Sequence, residues 1–140
     1  MKQNYAIRNL MTDKVVSVTR QTKLSEARKI FNECGFHHLP VVEGERLIGI
    51  LSYNDLMRID SGELYKQDPK QADALIDNLS SMDNAMTSNV ISVHADDSVK
   101  DATVKLAEGN FHALPIVDSE YKLMGIVTST DLLRYYLNQY

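Results

Sequence analysis

The chain has 140 residues, 44% of them hydrophobic, so it can bury a core without disulfides or a structural metal. Its formal net charge of −4 argues against nucleic acid as a partner, because that binding depends on clustered Lys and Arg. The single cysteine cannot form an internal disulfide, and no apolar run suits a signal peptide or a membrane helix. We therefore expect a cytoplasmic protein without membrane contact.

The first half of the chain predicts five elements. The β-branched run at 15–18 predicts a strand, and helically spaced apolar residues then predict a helix with Thr22 as its N-cap. Two apolar runs, 39–42 and 47–51, predict strands joined by a small polar turn. An amphipathic run headed by Asp55 predicts a second helix.

The segment 59–81 is predicted to be a helical connector. Asp68 followed by Pro69 is typical of an N-cap with proline at the first helical position. The apolar residues between 72 and 79 keep helical spacing, so we expect an amphipathic helix whose apolar stripe packs against the protein. These residues are Ala72, Leu75, Ile76 and Leu79.

The second half of the chain repeats the first. With an offset of 75, and of 76 after one extra residue near Tyr121, 20 of 52 aligned positions are identical, which indicates duplication. The corresponding elements are a strand at 90–93, a helix with Asp97 as its N-cap, strands at 114–117 and 123–127, and a helix headed by Asp131.

The most specific shared motif is Gly, two apolar residues, Ser or Thr, two residues and Asp, at 49–55 and again at 125–131. Each copy follows a Leu-Pro-apolar-apolar strand and a Met-Thr-x-x-Val-apolar-Ser-Val opening. These motifs resemble those of the CBS domain family, and the resemblance covers residues 7–134. It implies an α/β (α+β) fold of two CBS modules, 7–58 and 82–134. Each module is expected to be a small sheet with two helices (β-α-β-β-α), and the two to pack as a pseudo-twofold pair.

The resemblance also implies a function. CBS pairs have two equivalent clefts between their modules, and in many members these bind AMP, ADP, ATP, S-adenosylmethionine or NAD-like compounds. Two pairs often stack into a homodimer. We therefore expect an adenosine-containing ligand, no required cofactor, and an unidentified effector protein to which the ligand state is reported.

Asp55 and Asp131 are the expected ribose ligands, because a carboxylate can accept charge-assisted hydrogen bonds from both vicinal hydroxyls. The same position also favours Asp simply as a helix cap, and the residues leave both readings open. Ser52 and Thr128, three residues earlier, either donate to ribose or phosphate or satisfy a local backbone group. The Gly before each apolar pair lets another backbone approach closely or relieves crowding.

An adenine ring needs an apolar slot with backbone donors and acceptors. We expect the slot at the start of each first strand and near each Leu-Pro, although ordinary core packing is the alternative for every one of these residues. The candidates are Val15, Val16, Pro40, Val90, Ile91 and Pro115.

In family members that bind phosphorylated adenosine, basic residues just before Leu-Pro can contact phosphate. The first repeat has two histidines there and the second has one; the alternative is partly exposed strand-edge histidines. Many nucleotide-binding members also have Lys or Arg immediately before the motif Asp, where both repeats here have a neutral residue, so phosphate contact at that place is weaker. The residues concerned are His37, His38, Asn54, His112, Ala113 and Thr130.

Two other functions are alternatives to ligand binding. An enzyme is poorly supported, because no phosphate loop, nucleophile elbow or metal-spaced cluster occurs and Cys34 is expected to be a small buried filler. A ligand-free dimerising scaffold is the stronger rival, and it would be favoured if Tyr53 or Tyr121 filled the clefts. The Ser/Thr and Asp residues present in both repeats favour binding.

Overall fold

The computed structural model describes residues 5–59 and 68–140, so part of the predicted connector, 60–67, lies outside the described residues. The helices of this part of the chain are α1 (Leu24–Cys34), α2 (Tyr53–Ile59), α3 (Pro69–Leu79), α4 (Met82–Ala85), α5 (Val99–Glu108) and α6 (Ser129–Leu137). The strands are β1 (His38–Glu43), β2 (Arg46–Ser52), β3 (Val93–His94), β4 (Ala113–Val117) and β5 (Leu123–Thr128). The predicted mixed helix and sheet class is confirmed.

The described residues form two compact units. The first unit contains the described residues of 16–44 and 48–90. The second unit contains the described residues up to 15, together with 45–47 and 91–140. These units follow packing rather than the sequence repeats, because each repeat's opening segment pairs with a strand of the other repeat.

Backbone hydrogen bonds show this exchange in both units. In the second unit, Thr12 and Ile126 exchange two N–H to carbonyl bonds of 3.0 Å each. In the first unit, Ile50 and Thr87 do the same at 3.0 and 2.8 Å. The opening Met-Thr of one repeat thus completes the sheet edge of the other.

Most predicted strands are confirmed, but the first strand of each repeat is not as predicted. Of 15–18, only Val18 forms a bridge, which is parallel to Val41. Of 90–93, only Val93 is in a strand, β3, which pairs with β4. In the second unit β3 runs parallel to β4, and β4 runs antiparallel to β5 with an irregularity at 116/117.

The predicted N-caps of α1 and α5 are both wrong, whereas Asp68 is the N-cap of α3 as predicted. The N-cap of α5 is Ser98, whose hydroxyl accepts the Asp101 N–H at 3.0 Å, while the Asp97 carboxylate accepts the His94 N–H at 2.9 Å. Helix α1 begins after Lys23, and the Thr22 hydroxyl instead accepts the Thr19 N–H. The side chain of each predicted residue accepts a backbone N–H of the turn before the helix, so it does not cap the helix.

The helical patterns locate the core of each unit. Leu24, Ala27 and Phe31 of α1 are buried in the first unit, together with Ala72 and Ile76 of α3. The second unit buries the matching face of α5 against β3, β4, β5 and α6. The predicted stripe of α3 is too wide, since its other two apolar residues, Leu75 and Leu79, are exposed.

Cys34 is exposed, so the prediction of a buried filler is wrong. It is the last residue of α1, which ends at Gly35 with a φ of 70°. The residues from 32 to 37 are all exposed, so this last turn extends past the core into solvent.

Candidate functional site

The two Gly-x-x-Ser/Thr-x-x-Asp motifs fold in the same way. Ser52 ends β2 and Thr128 ends β5, and a helix begins at the next residue. The helices therefore begin at Tyr53 and Ser129, two residues earlier than predicted, and each motif Asp is the third helical residue. The Ser or Thr is the N-cap, because its hydroxyl can reach the N–H of that third residue.

Each motif Asp caps its helix with one carboxylate oxygen. In the second unit the Asp131 N–H donates to Thr128 Oγ1 at 3.1 Å, and the Thr128 N–H donates to Asp131 Oδ2 at 2.9 Å. In the first unit the Asp55 N–H donates to Ser52 Oγ at 3.0 Å, and the Ser52 N–H lies 3.4 Å from Asp55 Oδ2. The capping interpretation is confirmed for both carboxylates.

The other carboxylate oxygen differs between the two units. Asp55 Oδ1 lies 3.4 Å from Arg58 Nη1, whereas Asp131 Oδ1 has no partner within the described residues. Capping uses Oδ2 alone, so it does not prevent Oδ1 from accepting a hydrogen bond from a ligand. The half-buried position of both side chains keeps them within reach of solvent.

The motif glycines are required by the close approach of another backbone. A Cβ added at Gly125 would lie 2.7 Å from the carbonyl oxygen of Thr12, and one at Gly49 would lie 3.1 Å from that of Thr87. Both carbonyls belong to the paired opening segments. The prediction that these glycines admit a backbone is confirmed.

The histidines lie beside the motif because of one backbone hydrogen bond in each unit. The Tyr53 N–H donates to the His37 carbonyl at 2.8 Å, and the Ser129 N–H donates to the His112 carbonyl at 2.8 Å. Both His37 and His112 are exposed. In each unit the fold therefore brings the histidine, the capping hydroxyl and the motif carboxylate together.

The remaining candidates divide by exposure. Val16 and Ile91 occupy equivalent positions and are 39% and 47% exposed. Asn54 and Thr130 are exposed in the first turns of α2 and α6. Half-buried residues are Val15, His38 and Val90, and buried residues are Pro40, Ala113 and Pro115.

The two tyrosines named as possible fillers both have partners in their own unit. The Tyr53 ring lies edge-on to Phe31 and His37, with centroid distances of 5.8 and 6.1 Å. Tyr121, at a φ of 65°, lies under the Arg46 guanidinium, with its hydroxyl 3.4 Å from that of Ser92.

Sequence reasoning missed one residue of the second unit. Lys105 Nζ donates to the Ser92 carbonyl at 2.7 Å and so fixes the backbone beside the exposed Ile91. The aligned residue of the first repeat is Ile30. The sequence signal for this residue is a Lys at a helical position that is apolar in the other repeat.

Neither a membrane-crossing helix nor a cluster of metal-binding side chains occurs among the described residues. The duplicated strand, capped turn and helix define the class, a tandem-module α/β protein. The CBS domain model matches residues 7–62 and 80–138. The chain belongs to the CBS domain family.

Solved CBS pairs resemble this chain over nearly its whole length. The CBS domain pair of protein MJ0100, in complex with 5′-methylthioadenosine and S-adenosyl-L-methionine, is 26% identical with a TM-score of 0.77, over 96% of this chain and 98% of that one. CBSX2 of Arabidopsis thaliana, in complex with AMP, is 29% identical with a TM-score of 0.79, over 96% and 97%.

Curated relatives are longer proteins. The L-aspartate semialdehyde sulfurtransferase of Methanocaldococcus jannaschii is 29% identical over 129 residues, which is 91% of this chain and 22% of that protein. The protein MJ0188 of the same organism is 29% identical over 126 residues, or 41% of its length. The chain thus spans less than half of either relative.

Proposed function

We propose that this CBS pair is a regulatory module that binds an adenosine-containing ligand and reports its presence to an effector protein. The observation that carries the proposal is the motif carboxylate of the second unit. Asp131 is held in place by its capping bond to Thr128, while its Oδ1 has no partner within the described residues. A fixed, half-buried carboxylate of this kind suits the vicinal hydroxyls of a ribose.

Other groups of the second unit suit the rest of such a ligand. Ile91 offers an exposed apolar surface for an adenine ring, on a backbone fixed by Lys105. The exposed His112, tied to the start of α6, offers a donor for a phosphate or another 5′ substituent. Solved CBS pairs of similar structure are described with AMP, S-adenosylmethionine and 5′-methylthioadenosine, which share the adenosine group.

The proposed ligands are AMP, ADP, ATP, S-adenosylmethionine or an NAD-like compound, and no cofactor is needed. Regulation requires that the ligand bind two packing states of the protein, or of its homodimer, with different affinities. Binding then favours the state to which it binds more tightly, and the effector protein recognises that state.

The experiment is a calorimetric titration of the whole chain with AMP, ATP, S-adenosylmethionine and 5′-methylthioadenosine, followed by the 2′-deoxy analogue of the compound that binds. A hydrogen bond to a charged group contributes about 1.5–3 kcal/mol, so the deoxy analogue should bind at least about tenfold more weakly. Asp131→Asn should weaken the ribose compound by at least as much, and the deoxy analogue, which keeps only the 3′-hydroxyl, should lose less on that variant than the ribose compound does.

Asp101→Asn is the matched control. Asp101 forms the same capping box with Ser98 at the start of α5 but lies outside the motif, so binding should not change. Equal effects of the two Asn variants, or full binding of the deoxy analogue, would refute the ribose contact.

A dimerising scaffold without a ligand is the second candidate. Two leucines on α6, Leu133 and Leu137, are 68% and 72% exposed and lie one helical turn apart. A scaffold predicts no heat with any of the four compounds, and a dimer in sedimentation that none of them alters.

A further inference from the structure

We infer that the two repeats are not equivalent as ligand sites, and that the chain takes its tighter-bound adenosine ligand at Asp131 rather than at Asp55. The inference rests on the proposed function, since it distinguishes two copies of the same carboxylate site.

The first difference is the arginine one turn after the motif Asp. Arg58 Nη1 lies 3.4 Å from Asp55 Oδ1, the oxygen that capping leaves open. Arg134 has the aligned position in α6 but forms no ion pair with Asp131 in the part of the chain that the structure describes. A ribose hydroxyl therefore competes with a cation at Asp55 and meets an open oxygen at Asp131.

The second difference is the residue that follows the capping hydroxyl. In the first unit it is Tyr53, whose ring packs edge-on against the His37 imidazole. In the second unit it is Ser129, and the His112 ring has no aromatic neighbour within the described residues. The histidine of the second unit is therefore freer to turn toward a ligand than that of the first.

The third difference is the backbone beside the expected adenine slot. In the second unit the Lys105 ammonium fixes the Ser92 carbonyl at 2.7 Å, whereas the aligned side chain of the first repeat, Ile30, has no donor. A backbone that is already fixed loses less conformational entropy when a ligand binds. All three differences favour the second unit.

The difference in ligand affinity between the two sites can be bounded. Arg58 is 79% exposed, and an exposed ion pair of this kind changes an equilibrium by roughly two- to fivefold. The packing of His37 and the fixed Ser92 carbonyl act in the same direction. We therefore expect Asp131→Asn to weaken the tighter binding step at least about tenfold, and Asp55→Asn to change it less than about threefold.

The test uses calorimetric titration of the whole chain with AMP and with S-adenosylmethionine. Asn keeps an oxygen that can accept the capping N–H, and a thermal melt of each variant confirms that it is folded. In the Asp131→Asn background, Arg58→Ala should strengthen the remaining weak site by roughly two- to fivefold. Arg134→Ala in the Asp55→Asn background is the matched control and should leave affinity unchanged.

Equal losses from the two Asp variants, or a greater loss from Asp55→Asn, would overturn the inference and leave the proposed function standing. An Arg58→Ala variant that binds no better than its background would overturn the role of the ion pair. If the unmodified chain bound neither compound, the proposed function itself would fail, and the inference with it.

Discussion

Replacing Asp77 by Ala should destabilise the first unit, because this residue of α3 caps the start of α1. The Ser25 N–H donates to Asp77 Oδ1 at 2.9 Å, and the Ser25 hydroxyl donates to Asp77 Oδ2 at 2.7 Å. Lys23, at the N-cap position itself, makes no side-chain cap bond. The unsatisfied N–H of the first turn thus depends on a carboxylate 52 residues further along the chain.

The magnitude follows from the two bonds. Loss of an N-cap costs about 0.5–2 kcal/mol, and a net hydrogen bond contributes about 0.5–1.5 kcal/mol. Because Ser25 and Asp77 are both half-buried, we expect the free energy of unfolding to fall by about 2 kcal/mol in Asp77→Ala. Ser25→Ala loses only the hydroxyl bond, and we expect about 1 kcal/mol for it.

Urea unfolding followed by circular dichroism measures these changes as shifts of the midpoint at constant slope. The double variant Ser25→Ala/Asp77→Ala should be no less stable than Asp77→Ala, since both bonds are already lost. Asp77→Asn, which keeps an acceptor for the N–H, should fall between Asp77→Ala and the unmodified chain. An Asp77→Ala change below about 0.5 kcal/mol, or strict additivity of the two single variants, would refute the capping argument.

Gly125→Ala should lower the free energy of unfolding by about 1–3 kcal/mol, because the new Cβ would lie 2.7 Å from the Thr12 carbonyl oxygen. Gly49→Ala should cost less, since the corresponding oxygen is 3.1 Å away, and urea unfolding that ranks the two in reverse would contradict this. Hydrogen bonding from the Lys122 backbone N–H holds the pKa of Asp118 below its usual 3.8. That stabilisation is present above pH 3.8 and is lost as pH falls through the lowered pKa, so Asp118→Asn should destabilise the protein more at about pH 6 than at about pH 2.5. Equal destabilisation at both pH values would contradict the assignment.

The parts of the fold that could be predicted are those encoded by neighbouring residues. The strands predicted at 39–42 and 114–117 are short apolar runs that contain a proline and precede a polar turn, and β1 and β4 lie there. Asp68-Pro69 predicted the start of α3 to the residue. In each case, the signal and the structure lie within one stretch of chain.

The parts that could not be predicted depend on distant residues. The opening segment around Thr12 pairs with Ile126, and the local sequence around neither residue predicts this pairing. The local pattern predicts Thr22 as the N-cap of α1, whereas the carboxylate that caps the first turn, that of Asp77, lies on another helix. Periodicity predicts elements, but it does not predict which long-range partner completes their edges and ends.

In the candidate site, alignment of the two repeats does not predict what surrounds each motif carboxylate. The sequence left capping and ligand binding as alternatives for Asp55 and Asp131, yet each capping bond uses one oxygen, so both roles are compatible in a single carboxylate. Arg58 and Arg134 are identical in the aligned repeats, but the ion pair is present only beside Asp55 within the described residues. Duplicated motifs can therefore keep the same residues while their sites diverge, and the divergence lies in which neighbour occupies the second oxygen. If the Asp131 site binds more tightly, as we propose, then the Arg58 ion pair supplies the part of that difference that the aligned residues do not show.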